Sequence, residues 1–429
     1  MGMRACGWIV TGCTLGLLCA FLGPATHAED DPFSEPEFDN ARARVAVAKA
    51  IRWLEKKQGR DGSYGGITGH GPYGAGLFAI REAHPAGPTA WVLYALLRAG
   101  RAADDPAVAR GFRFLRKHHR IPETSYEISA LLLAVTATAP RTARVEERWK
   151  LRAPFRNWAH ELADTLIERR TARGWRYNRP GSPEAESGGG PEDLSSTTFA
   201  LLALSAAARC GIRVQPSVWR DGYGFACDQQ EDEGPPHRLR TKPAGITPIS
   251  ASRRGCAYVR GLASPAAGQP TGGMTAAALA SIELARFGAS EGGRKPKAIP
   301  PEHASRIQAA IYDGLAWLDA DWDPARNPKR EVEGGDHIAW RFQVATAMDV
   351  LGLEALGTHA WFEEMGQRFL DEQAPNGHWD SKPTWGPADT LDTAFAILFL
   401  TRHARGLIPY PRVRGGRDRP HEPLQKGEK

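Results

Sequence analysis

Two kinds of helical segment alternate along this chain. The first is apolar with little polar face: "TAWVLYALLRAG" (89–100), "TFALLALSAAARCG" (198–211), "TAAALASIELARFG" (275–288) and "TAFAILFLTRH" (393–403). Each begins with a threonine: Thr89, Thr198, Thr275 and Thr393. "ISALLLAVTATA" (128–139) and "AWRFQVATAMDVLGLEALG" (339–357) fill the remaining places of this kind. A helix apolar on all sides must be surrounded by protein. Gly100, Gly211 and Gly288 stand where three of these helices need a left-handed C-terminal cap.

The second kind is amphipathic and ends in a turn of fixed spacing. "RWLEKKQGRDGSYGG" from Arg52 carries Gln58, Gly62 and Tyr64, and "RFLDEQAPNGHWD" from Arg368 carries Gln373, Gly377 and Trp379. "FACDQQEDEG" keeps the Gln–Gly spacing at Gln230 and Gly234, then enters a long insertion. Residues 112–119, 164–177 and 314–323 are weaker copies. A helix with one charged face sits outside an apolar one. Six such pairs run from near residue 43 to near residue 403. They predict an all-α fold, an α6/α6 toroid with six outer and six inner helices; an open helical solenoid is the rival.

Two stretches interrupt the alternation. Residues 178–193 are rich in Gly, Pro and Ser, and residues 231–272 form a longer insertion. Both precede inner helices, so they read as surface loops or as covers over one mouth of the ring. The N-terminus reads as an export signal: Arg4, an apolar stretch, then small residues before a cleavage point after Ala28. An uncleaved membrane anchor is the alternative. The expected organisation is a signal peptide at 1–28, a linker at 29–42, the toroid at 43–404, and a disordered basic tail at 405–429. Export to the periplasm or the cell exterior follows from the first of these.

Composition narrows the classes. With 429 residues, 42% hydrophobic, the chain can bury a large core. Its net charge of +6 is scattered rather than blocked, which argues against nucleic acid. Three of the six cysteines lie in the N-terminal segment. Of Cys210, Cys227 and Cys256, two are free to pair under oxidising conditions and one is left over. No CxxC occurs, so no zinc ribbon is expected.

The Gln58–Gly62–Tyr64 and Gln373–Gly377–Trp379 turns resemble the "QW" repeats of squalene cyclases. The inner helices are similar to those of squalene cyclases and protein prenyltransferase β-subunits. The resemblance covers roughly residues 43–403. It implies a toroid whose functional mouth lies at the N-terminal ends of the inner helices. Members of the superfamily cyclise squalene, prenylate cysteine peptides with zinc, or bind partners.

Neither inherited chemistry is complete. Class II cyclases use an Asp-x-Asp-Asp-Thr-Ala phrase whose middle Asp protonates an alkene. Here "DTLDTA" gives Asp389 and Asp392 at the outer positions and Leu391, which has no proton to give, in the donor's place. The two carboxylates read as first-turn caps. Where a prenyltransferase carries a ligand histidine, this chain has Ser196 and Thr197, so no metal and no cofactor are expected. "DADWD" (319–323) reads as a solvated turn at the end of an outer helix.

The remaining polar residues at the inner mouth are Tyr126, Glu127, Asp193, Ser195, Ser196, Asp336, His337, Arg341, Asp389 and Asp392. Glu127, His337 and Arg341 are the least explained by capping, and convergence on one ligand group is the expectation to test. Trp91, Tyr94 and Trp340, with Phe342 and Phe395, are the candidate cavity aromatics. The functional expectation is an exported binding or scaffold toroid for an apolar, isoprenoid-like small molecule or an extended polymer. The alternative is a divergent enzyme of this fold, either a terpenoid cyclase or transferase or a glycan-cleaving toroid.

Overall fold

The computed structural model describes residues 38–65, 69–70, 79–80, 86–140, 148–176, 191–240, 249–263, 265–290, 299–329, 337–381 and 388–408. The signal or anchor segment, the linker up to residue 37, most of the 178–193 loop, Asp336 and most of the basic tail lie outside the described residues. Packing runs slightly wider than the expected boundaries. Phe38 is buried at one end, and Leu407 and Ile408 are buried at the other.

The chain begins with α1 (Asn40–Lys57), followed by the short pair β1 (Gly69–His70) and β2 (Ala79–Ile80). Then come α2 (Ala86–Arg98), α3 (Pro106–His118), α4 (Ser125–Ala137), α5 (Ala153–Glu168), α6 (Leu194–Arg209) and α7 (Pro216–Asp228). Antiparallel strands β3 (Pro236–Leu239) and β4 (Ile249–Ser252) follow. A single helical turn, Pro265–Gly268, leads to α8 (Gly272–Ala289). The last helices are α9 (Pro301–Ala320), α10 (His337–Leu351), α11 (Trp361–Glu372) and α12 (Ala388–Leu400).

The even-numbered helices are the apolar ones, and they form a closed ring. Helix α2 packs on α4, α4 on α6, α6 on α8, α8 on α10, α10 on α12, and α12 back on α2. The odd-numbered helices lie outside. Their apolar stripes face inward, as in α3, where Val108, Phe112 and Leu115 are buried and the arginines are not. Outer helices approach inner ones closely at glycine. A Cβ at Gly111, Gly222 or Gly314 would lie within 3 Å of Leu93, Leu201 or Leu279 respectively.

The repeated turn explains the spacing seen in the sequence. Gln58 donates to the carbonyl of Gly62 in its own turn (3.1 Å) and to that of Ala107 on α3 (2.8 Å). Gln373 donates likewise to Gly377 and to Ala46 on α1, both at 2.9 Å. One side chain thus ties each turn to the next outer helix, around the ring. The backbone N–H two residues beyond the glycine then donates to the inner threonine: Tyr64 to Thr89 (3.0 Å) and Trp379 to Thr393 (3.1 Å).

Two sequence registers are corrected by these bonds. In the third repeat the acceptor is Thr197, which takes the Trp175 N–H at 3.0 Å. Thr198 instead faces Ser281 of α8 at 2.8 Å. In the fourth repeat Gln230 reaches Arg254 and Ala310, both at 3.0 Å, so Gly234 is not its partner. The insertion is spliced inside the turn, and Cys256 occupies the aromatic position, donating its N–H to Thr275 at 2.9 Å. Nor is the insertion only a surface loop. Arg254 forks onto the carboxylate of Asp313 at 2.8 and 2.6 Å, Ser252 N–H donates to the same carboxylate, and His237 meets Asp319 at 2.7 Å. These bonds dock β3 and β4 on α9, and Asp319 of "DADWD" serves that docking.

Caps hold the helix starts. Asp39 accepts from Arg42 N–H and Thr271 from Met274 N–H. Asp193 accepts from the N–H of Ser196 at 2.7 Å and from its hydroxyl at 2.7 Å. Burial pushes the Asp193 carboxyl up to about 6 despite these bonds and a further one from Tyr258. No cation appears among the causes that shift it.

Two outcomes are expected. Gly377 has φ 103°, and a Cβ there would lie 2.8 Å from the backbone carbonyl of Lys49. Gly377→Ala should cost about 2–3 kcal/mol, seen as a melting temperature lower by roughly 5–10 °C. For Asp193, the folded pKa lies above the unfolded value of 3.8, so its protonation stabilises the fold below pH 3.8 and that contribution is lost as pH rises through 6. Asp193→Asn keeps a capping oxygen and removes the buried charge. Its stability relative to wild type should rise by up to about 3 kcal/mol between pH 4 and 7, measured by denaturation at each pH. A difference that is flat with pH would contradict this.

Candidate functional site

Because each inner helix follows an outer helix and its turn, all six inner helices start at one end of the ring. Side chains one and a half turns into these helices meet on the axis. Trp91 of α2 lies 5.2 Å from Phe199 of α6, 5.8 Å from Phe342 of α10 and 5.1 Å from Phe395 of α12 between ring centroids. Phe199 and Phe342 are 6.1 Å apart, and Phe342 and Phe395 are 4.7 Å apart. Helices α2, α6 and α10 alternate around the ring, so these contacts cross its centre. Trp91, Phe199 and Phe342 each stand five residues past their helix start. At 1.5 Å rise per residue the plug sits about 7–8 Å below the rim.

Helices α4 and α8 contribute only alanine at the same level, Ala130 and Ala277. Four large rings and two small side chains fill one layer. Beneath it, Phe342 stacks on His403 at 4.6 Å and 12°. His403 is fully buried; its two ring nitrogens meet Tyr94 Oη at 3.3 Å and Thr346 Oγ1 at 3.0 Å. Lower still, Asp349 pairs with Arg402 at 2.6 Å. Burial raises the Asp349 carboxyl, and the Arg402 charge partly offsets that. The ring is therefore filled along its axis at the levels these residues occupy.

Above the plug the described floor is apolar. It comprises the aromatic layer, the half-buried Tyr126 packed on Phe199, and the half-buried Leu391, one helical turn before Phe395 on the same face of α12. Tyr126 packs on Phe199 at 5.2 Å and donates its hydroxyl to Ser195. This hydroxyl pair is the polar feature at the floor's edge.

The candidate polar residues do not converge. Glu127 completes a capping box with Thr124 at the start of α4, so capping explains it after all. Arg341 is fully buried and turns outward, forking onto Glu372 of α11 at 2.6 and 2.8 Å and onto the carbonyl of Pro324. His337 lies 3.9 Å from the same Glu372. Asp389 pairs with Lys57 of α1 at 3.0 Å. Asp392 is not a cap. It accepts from the N–H and hydroxyl of Ser381, in the strand of chain leading to α12. Asp193 and Ser196 bond each other. His337 and Arg341 share a partner, Glu372, and it lies on the outer ring.

Among the candidate aromatics, Trp91 and Tyr94 lie on the axis. Trp340 does not: its indole N–H donates to the carbonyl of Asp323, and it packs on Trp322 at the turn from α9. Phe199 and His403 were not identified from sequence. Phe199 stands two residues past Thr197, as Trp91 stands two past Thr89 and Phe395 two past Thr393. The Thr197 register is the signal that would have found it. Among the described residues no group of His, Cys, Asp and Glu is arranged to hold a metal ion.

Residues 35–129 match the family model of the squalene-hopene cyclase C-terminal domain. No curated protein sequence matches the chain. Among solved structures, the type II terpene cyclase MstE from Scytonema, as a variant in complex with geranylgeranyl dihydroxybenzoate, is similar with a TM-score of 0.51. It is 12% identical, and the match covers 85% of this chain and 98% of that one. An α-1,6-mannanase from Salegentibacter sp. HEL1_6 is similar at 10% identity and a TM-score of 0.49, covering 84% of this chain and 99% of that one. The closed double ring is thus an α/α toroid, the fold this chain shares with the MstE cyclase, and residues 35–129 are similar to the squalene-hopene cyclase C-terminal domain.

Proposed function

We propose that this protein is an exported binding or scaffold toroid whose mouth holds the apolar face of an extended ligand. One observation carries the reading. The aromatic layer of Trp91, Phe199, Phe342 and Phe395 closes the axis about 7–8 Å below the rim and leaves an apolar floor. Such a floor accommodates a ligand lying across the mouth better than a long chain folded into a deep chamber. Isoprenoid-like chains and polymers with an apolar face both fit this description.

The electrostatics favour binding over acid catalysis. Protonating an alkene or a glycosidic oxygen needs a protonated carboxyl aimed at the substrate. Leu391 occupies the donor's place beside the floor. The carboxylates of Asp193 and Glu127 are engaged in caps, Asp389 pairs with Lys57 of the first repeat, and Asp392 accepts from Ser381. Export rests on the N-terminal apolar segment and the small residues before Ala28.

The reading is tested at Leu391. The purified chain is titrated with a long-chain prenyl alcohol and with linear neutral oligosaccharides, and followed by calorimetry and native mass spectrometry. Binding of one probe is expected. Leu391→Glu, which puts a charge on the floor at a half-buried position, should weaken it roughly 10–100-fold. The melting temperature should fall by no more than a few degrees. Absence of binding by both probes, or affinity unchanged in Leu391→Glu, would sink the proposal.

A further inference from the structure

The interrupted fourth turn carries two cysteines where neither intact turn has one. Three residues before the turn glutamine stand Glu55 and Leu370 in the intact turns, and Cys227 in the interrupted one. At the aromatic position stand Tyr64 and Trp379 in the intact turns, and Cys256 in the interrupted one. The two changes flank the same insertion, one on each side of its base.

The backbone brings these sides together. Gln230 and Cys256 form an antiparallel bridge. Glu231 N–H donates to Gly255 (2.9 Å), Ala257 N–H to Gln229 (3.1 Å) and Gln230 N–H to the carbonyl of Cys227 (3.3 Å). Cys227 and Cys256 are both buried, and both are thiols in this structure. We propose that Cys227 and Cys256 are a disulfide pair that closes the base of the insertion, with Cys210 outside the bond. Burial pushes the Cys227 thiol up to about 12 and the Cys256 thiol higher still, with the nearby Cys227 as a further cause for the latter. Folded and reduced, the pair is therefore inert, and the bond forms while the chain folds.

Cys210 is excluded by distance. It caps the far end of α6, and nearly the whole of α7, about 17 Å of helix, lies between its end of the ring and Cys227. Bridged cysteines need Cα atoms within about 7 Å. The step balances as thiol–disulfide exchange. Each cysteine thiol gives up its hydrogen, and the two protons and two electrons pass to the disulfide of a small-molecule or protein oxidant, which leaves as two thiols.

The bond would fix the base from which β3 and β4 reach α9. The closed loop of roughly 30 residues is long enough for cross-linking to limit the unfolded chain substantially. It stands where the turn's aromatic anchor is missing, and a covalent link replaces that packing.

The test is thiol mapping on the full chain secreted into an oxidising compartment. The protein is denatured without reductant, alkylated, digested and analysed by mass. A peptide pair joining Cys227 to Cys256, two hydrogens lighter than the free peptides, with Cys210 alkylated, is expected. Reductant should then lower the melting temperature of wild type and of Cys210→Ser by roughly 5–10 °C, and leave Cys227→Ser unmoved. Alkylation of all three thiols, or a bond that includes Cys210, overturns the assignment. An unchanged melting temperature on reduction of a mapped bond overturns the stapling role.

Discussion

Closure of the ring is the constraint on which the rest depends. The inner helices are apolar on every side, so each needs an inner neighbour on both flanks and an outer helix behind. Five of the junctions join consecutive repeats. The sixth must join the last repeat to the first, and it is built from the same parts. Helix α12 packs on α2, and Gln373 donates to Ala46 of α1 as Gln58 does to Ala107 of α3. Gly377 lies against the backbone of Lys49, His378 stacks on Trp53 at 5.0 Å, and Arg42 reaches Leu370 and Asp371 of α11. Without this seam, the apolar faces of α2 and α12 would meet water.

Filling the axis follows from the same closure. Six inner helices leave a central space that is either lined as a chamber or packed. Here four of the six send an aromatic ring to one level, and two supply alanine. Edge-to-face contacts such as Trp91 with Phe342, at 84°, let large rings share a small space. A second layer, His403 between Tyr94 and Thr346, satisfies a buried imidazole at both nitrogens. A toroid similar in fold to a cyclase thus spends this level of its centre on packing, and a shared fold does not by itself fix the chemistry.

The insertion shows how a repeat tolerates a break. Its backbone closure is the same as in the intact turns: Glu231 to Gly255 replaces Gly59 to Ser63 and Ala374 to His378. The threonine on α8 still receives its N–H, now from Cys256. The extra residues go outward as a hairpin held by Asp313 and Asp319 of α9. Gln–Gly spacing alone pointed to Gly234, because a local count cannot see that the chain returns to the same turn some twenty residues later.

The sequence by itself determined the architecture: alternation of one-faced and all-apolar helices, the Gln58 and Gln373 turns, and the missing acid at Leu391 are all local patterns. Local pattern also put Asp193 at the inner mouth and offered Trp91 as a cavity aromatic. Only the tertiary structure decided where the polar residues point. Glu127, Arg341, Asp389 and Asp392 all fall near the starts of inner helices, which suggested a common site. Their partners, Thr124, Glu372, Lys57 and Ser381, lie in the caps, the outer ring and the turns. Helical periodicity fixes height along a helix, but the partner across a junction comes from a segment far away in sequence. That distant choice turned Arg341 and Asp389 away from the axis, while a local cap took Glu127 and the turn took Asp392, and the centre went to aromatic rings.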